Sequence, residues 1–141
     1  MGLDGRAEAT LALLTAGHTE DARRRAGDDL ERARRWGTAR VVGRALRVQA
    51  LAEGGPQIIG RLEDAVAILD SSSAPLELGR ALLDLGGALR RANRRADARA
   101  PLRRALALAE AYLSVMLADG TRRELAVTGV RVPRREHGGA D

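Results

Sequence analysis

The chain has 141 residues, a formal net charge of +5, 45% hydrophobic residues and no cysteine. This length suits one domain rather than two, and the lack of cysteine excludes disulfide bridges and thiolate chemistry. No apolar run approaches the ~18 residues of a membrane-spanning helix and the N-terminus lacks a signal-peptide core, so we expect a cytoplasmic protein without membrane contact.

The composition favours helices throughout the chain. Ala and Leu, the strongest helix formers, dominate the apolar residues, whereas Trp36 and Tyr112 are the only aromatic residues. All the basic residues other than the two histidines are arginines, which also suit helices. Because the β-branched and aromatic residues typical of strands are scarce, we predict an all-α fold.

Apolar residues recur at three- and four-residue intervals and predict seven helices. Gly17 and Gly37 are expected to end the first two helices, and Trp36 is expected to anchor the packing of a hairpin. Asn93 marks a turn, and Pro101 predicts a kink or a strained first turn in the sixth helix. In chain order the predicted helices cover about residues 7–15, 19–36, 38–53, 56–69, 76–91, 95–117 and 121–127.

An internal repeat relates the fourth helix to the sixth at a shift of 40 residues, matching Leu62, Ala65 and Ile68 with Leu102, Ala105 and Leu108. This period predicts antiparallel helical hairpins stacked as a short solenoid over residues 1–130, in which each pair buries its apolar face on the next. Residues 131–141 are predicted to form a disordered tail, basic at first and then rich in Gly.

The region after residue 82 resembles a tetratricopeptide repeat. Small residues in that pattern let the two helices approach closely. The residues that define the repeat are Leu82, Leu85, Gly86 and Leu89 on the first helix, and Ala98, Leu102 and Ala105 on the second.

Three blocks in order, Leu30–Thr38, Leu76–Glu110 and Glu124–Gly129 followed by Arg134 and Arg135, resemble the helical repeats before the DNA-binding domain of large ATP-binding LuxR-family transcriptional regulators. The resemblance implies a sensor or coupling segment that binds an inducer or a partner. In that family a nucleotide-binding module precedes the repeats and a helix-turn-helix follows them. Neither lies in this sequence, so we expect a fragment or truncated product whose DNA contact belongs to an absent domain.

The sequence contains no recognisable catalytic motif. A phosphate-binding loop needs glycines around a lysine, and the chain has no lysine. The two histidines, His18 and His137, lie far apart, and no serine has a histidine in a comparable structured context. We therefore expect a protein that is not an enzyme and that uses no cofactor or metal.

The first helix of each pair lines the concave face of a tetratricopeptide stack, which predicts a groove for an acidic peptide, another protein partner or a small-molecule inducer. On the clearest repeat the predicted groove residues are Arg80, Leu83, Gly87 and Arg90. A stand-alone protein-binding adaptor is the alternative function.

A third interpretation is non-specific nucleic-acid binding, because arginines cluster at the turn after the fifth helix. The residues expected to contact an anion there are Arg91, Arg94 and Arg95, beside Arg90. A homodimer is also expected, through residues 3–14 or 112–117, because a solenoid end is apolar unless it is capped.

Overall fold

The computed structural model describes the backbone of residues 3–129 and the side chains of residues 5–129; the predicted tail, 131–141, lies outside this range. The described residues form helices and turns without a strand. The helices are α1 (Leu3–Thr15), α2 (Thr19–Trp36), α3 (Ala39–Glu53), α4 (Ile58–Asp70), α5 (Pro75–Arg91), α6 (Arg95–Ala111) and α7 (Val115–Val127).

The helices pack in a sequential stack. Each helix contacts the next one along the chain, and in addition α1 contacts α3, α3 contacts α5, and α5 contacts α7. Within the described range the backbones of the even-numbered helices do not approach one another as closely as this. The odd-numbered helices therefore line one face and the even-numbered helices the other, so the predicted all-α stack of antiparallel hairpins is confirmed.

The core consists mainly of large leucine and small alanine side chains. Leu62, Leu102 and Leu125 are fully buried, and alanines such as Ala105 fill the narrow places between helices. At Gly86 the α5 backbone lies so close to α6 that an added Cβ would overlap the side chain of Leu102. All seven residues of the predicted repeat pattern are buried: Leu82, Leu85, Gly86, Leu89, Ala98, Leu102 and Ala105.

The last hairpin differs from the predicted boundaries. The sixth helix was expected to reach residue 117, but it ends at Ala111, and α7 begins at Val115 instead of residue 121. Leu113 adopts a left-handed backbone, φ 56°, which stops α6. Ser114 caps α7, where its side-chain oxygen accepts a hydrogen bond from the Leu117 amide at 3.4 Å.

The structure shows the positions of Trp36 and Pro101. Trp36 does not anchor a hairpin; it is 86% exposed, because it follows the buried stripe of α2 at a position that faces solvent. Pro101 lies within α6, which continues through it as one helix from Arg95 to Ala111.

None of the described helices combines the length and hydropathy needed to cross a membrane.

Candidate partner-binding groove

An open groove of about 690 Å³ lies on the face of the odd-numbered helices. We call it the arginine groove, after the four guanidinium groups that line it: Arg40, Arg44, Arg47 and Arg80. Two carboxylates, Glu8 and Glu77, also line it. Apolar side chains complete the walls, chiefly Leu11, Leu76, Tyr112 and Met116. With Asp84, which pairs with Arg47 behind the wall, four cations face three carboxylates, so the groove keeps a net positive charge that favours an acidic ligand.

Helical spacing places these arginines together. Arg40, Arg44 and Arg47 follow one another at four and three residues on α3, so they project from one side of that helix. The contact between α3 and α5 brings Arg80 to the same groove. Neither helix alone could assemble the four positive charges.

A buried ion pair holds the floor of the groove. Arg44 Nε lies 3.3 Å from Glu77 Oε1, and both side chains are buried. Arg80 Nη1 donates a hydrogen bond to the same oxygen at 3.1 Å. Because a buried charge is costly without a partner, this cluster keeps the positions of α3 and α5 fixed relative to each other.

A second ion pair joins α3 and α5 at later residues of both helices. Arg47 Nε donates a hydrogen bond to Asp84, and both side chains are mostly buried. Burial raises the pKa of the Asp84 carboxyl above its ordinary value, while the charges of Arg47 and Arg91 oppose that rise. Arg47 thus lines the groove and also neutralises a carboxylate behind it.

The predicted groove residues divide between two places. Arg80 lies in the arginine groove, whereas Leu83 and Gly87 line a separate cleft of about 260 Å³ between α5 and α7. Arg90 Nε donates a hydrogen bond to Glu124 Oε2 on α7 at 2.6 Å. That hydrogen bond raises the pKa of the Arg90 guanidinium above its ordinary value. Helix α7 packs along α5 beside Gly79, Leu83 and Gly87, so Arg80 is the one of the four predicted residues that lines the arginine groove.

The predicted anion-contact arginines also separate. Arg91 lines the α5–α7 cleft, and Arg94 Nε lies 2.9 Å from Asp97 Oδ2. Arg95 is exposed at the start of α6. The described residues include no group of His, Cys, Asp or Glu that could hold a metal ion.

Sequence reasoning missed three of the four groove arginines: Arg40, Arg44 and Arg47. Their spacing on α3 was visible in the sequence, but it equally fits a solvated helix face. Only the packing of α3 on α5, a tertiary contact, distinguishes arginines that line a groove from arginines on a solvated helix face. Comparison of the chain with protein-family models, with curated proteins and with solved structures gives no match in any of the three.

Proposed function

We propose that the chain is a non-catalytic helical-repeat interaction segment of a LuxR-family transcriptional regulator, and that it binds a protein partner in the arginine groove. The stacked hairpins support this proposal because they are the architecture that the tetratricopeptide-like resemblance implies. The observation that carries it is the groove itself, lined by four guanidinium groups on the face of the odd-numbered helices.

The charge of the groove selects the chemistry of the partner. Arg40 and Arg80 are exposed, whereas Arg44 and Arg47 lie deeper. A guanidinium group binds a carboxylate through two parallel hydrogen bonds, so arginines at this spacing suit a peptide with several Asp or Glu residues. The partner is therefore an acidic segment of a protein.

A binding measurement tests the groove. The probe is a fluorescein-labelled peptide of six consecutive glutamates, and the readout is its fluorescence anisotropy on titration with the protein. We expect Arg40→Glu combined with Arg80→Glu to weaken binding at least tenfold, because both sites then repel the peptide.

The matched control is Arg95→Glu combined with Arg99→Glu, which makes the same change of charge on exposed positions of α6. We expect this variant to bind the peptide nearly as the unchanged protein does. Equal losses in the two variants would show that only net charge matters, and the groove proposal would then be abandoned.

The regulatory role has its own test in the extended reading frame. A nucleotide-binding module before the repeats and a helix-turn-helix after them are expected if the segment belongs to a LuxR-family regulator. A frame that encodes neither would refute the regulatory role and favour the stand-alone adaptor.

Nucleic-acid binding is a second candidate, favoured by one specific observation. Arg95, Arg99 and Arg103 recur every four residues on α6, all exposed and none in an ion pair within residues 5–129. Such a row, with Arg91 and Arg94 near its start, suits contacts with phosphates. It predicts that affinity for DNA falls steeply with salt, and the absence of binding at low salt would eliminate it.

A further inference from the structure

Three turns of the stack share one geometry but not one residue. Helices α1, α5 and α6 each end with a left-handed residue, namely Gly17, Asn93 and Leu113, at φ 84°, 63° and 56°. In each case the next amide donates a hydrogen bond to the carbonyl five residues earlier, at 2.8 to 2.9 Å. This is the helix-ending motif in which Gly, and less often Asn, is usual.

Leu113 is unfavourable in this position for two reasons. A left-handed backbone brings the Cβ of an L-residue close to the following carbonyl oxygen, which glycine avoids and asparagine tolerates. The side chain is also 77% exposed, so the core does not compensate for the strained backbone. Strain held at an exposed apolar residue suggests a contact with another molecule.

Leu113 belongs to a set of exposed apolar side chains at the turn between α6 and α7. We call it the apolar ridge: Tyr112, Leu113, Val115 and Met116, which are 55%, 77%, 67% and 87% exposed. Tyr112 and Met116 also line the groove, together with Arg40 and Arg80. The ridge is therefore continuous with the positively charged surface.

We propose that the apolar ridge anchors a large apolar side chain of the acidic segment that the arginine groove binds, so that the partner carries both acidic residues and an adjacent hydrophobic anchor. This inference rests on the proposed function of the groove. It adds that glutamates alone do not account for recognition, because the positive surface and the apolar surface form one continuous site.

A second copy of the chain fits the ridge less well. If two ridges packed against each other, the two grooves would approach, and Arg40 and Arg80 of one copy would face the same cations of the other. Such like-charge contacts oppose association. An acidic partner instead meets opposite charge beside the apolar contact.

The test compares two peptides and one substitution. Both fluorescein-labelled peptides contain five consecutive glutamates, followed by two leucines in the first and by two serines in the second. We expect the unchanged protein to bind the leucine peptide about tenfold more tightly, and Leu113→Asn to remove most of that difference. A peptide pair with the order of the two segments reversed covers the opposite binding direction.

Thermal unfolding of the same variant supplies an independent readout. Because asparagine occupies the equivalent turn at Asn93, we expect Leu113→Asn to raise the unfolding midpoint while it weakens binding. Weaker binding therefore cannot be ascribed to misfolding. The matched control is Trp36→Ser, which removes an exposed apolar side chain that belongs to neither the apolar ridge nor the arginine groove, and which we expect to leave both affinities unchanged.

The outcomes separate the two proposals. If neither peptide binds the unchanged protein, the groove proposal and the ridge proposal both fail. If both peptides bind equally and Arg40→Glu with Arg80→Glu abolishes binding, the groove stands and the ridge proposal is overturned. The ridge proposal is also overturned if sedimentation shows a dimer that Leu113→Asn dissociates while peptide affinity stays the same.

Discussion

The Nε atom of Arg47 on α3 donates a hydrogen bond to Oδ2 of Asp84 on α5 at 2.5 Å, across 37 residues of sequence. This contact joins successive hairpins of the stack on the face that carries the arginine groove. A mostly buried pair of this kind fixes how two hairpins are placed, since either charge alone would be costly.

Replacement of this arginine by an apolar side chain of similar length should destabilise the fold. We expect Arg47→Met to lower the free energy of unfolding by about 3 kcal/mol at pH 7, because the Asp84 carboxylate loses its counter-charge in a mostly buried place. Urea denaturation measures the change. The control is Arg25→Met, an exposed site on α2, for which we expect less than about 0.5 kcal/mol.

The same variant has a defined pH dependence. The pKa of Asp84 in the folded state lies above 3.8, so the folded state binds this proton at a higher pH than the unfolded chain does. Protonation of Asp84 therefore stabilises the fold at low pH, and this contribution is lost as the pH rises through the raised pKa. Loss of Arg47 raises that pKa further. The deficit of Arg47→Met relative to the unchanged protein should therefore shrink as the pH falls towards 3.8, and a constant deficit would contradict this account.

Asp70 on α4 pairs with Arg104 on α6, and its pKa is shifted in the direction opposite to that of Asp84. Arg104 donates two hydrogen bonds to the Asp70 carboxylate, from Nη1 and from Nη2, and these lower the pKa of Asp70 below 3.8. The associated stability is present above pH 3.8 and is lost as the pH falls through the lowered pKa. We expect Arg104→Gln to return the pKa towards 3.8, as measured by NMR titration of the carboxyl carbon. Titration of Asp70 at or above 3.8 in the unchanged protein would count against the pairing.

Arg90 and Glu124 should couple α7 to the rest of the stack. A double-mutant cycle with Arg90→Gln and Glu124→Gln is expected to give a favourable coupling energy, because a charged hydrogen bond joins the two side chains. Native-state hydrogen exchange of the α7 amides should quicken in each single variant. Strictly additive effects would mean that the apolar contacts of Leu117 and Leu125 hold α7 without help from the pair.

Gly86 should tolerate no side chain. A Cβ there would overlap Leu102, so we expect Gly86→Ala to destabilise the protein by about 1–3 kcal/mol, measured by urea denaturation. Gly27 in α2 has nothing within 4 Å of an added Cβ. Gly27→Ala should therefore stabilise the protein by up to about 1 kcal/mol through helix propensity, and a similar loss at both sites would refute the close packing of α5 on α6.

The all-α class and most helix boundaries could be predicted from the sequence, because they depend on local features. The second helix matches its prediction at both ends, since Glu20 and Asp21 favour its first turn and Gly37 follows its end. The boundary between α6 and α7 could not be predicted, because Leu113 is an improbable residue for the left-handed turn that it forms.

Tertiary structure decided which arginines line the groove and which ones pair with carboxylates of a neighbouring helix. Arginines at helical spacing look alike in the sequence whether they face solvent or a neighbouring helix. Packing of α3 on α5 directs Arg47 towards Asp84 and the groove, and packing of α5 on α7 covers Gly87 and pairs Arg90 with Glu124. The sequence thus determined which segments are helical, through propensity and periodicity. Only the stacking of the hairpins decided which charges meet, because those partners lie more than 30 residues apart.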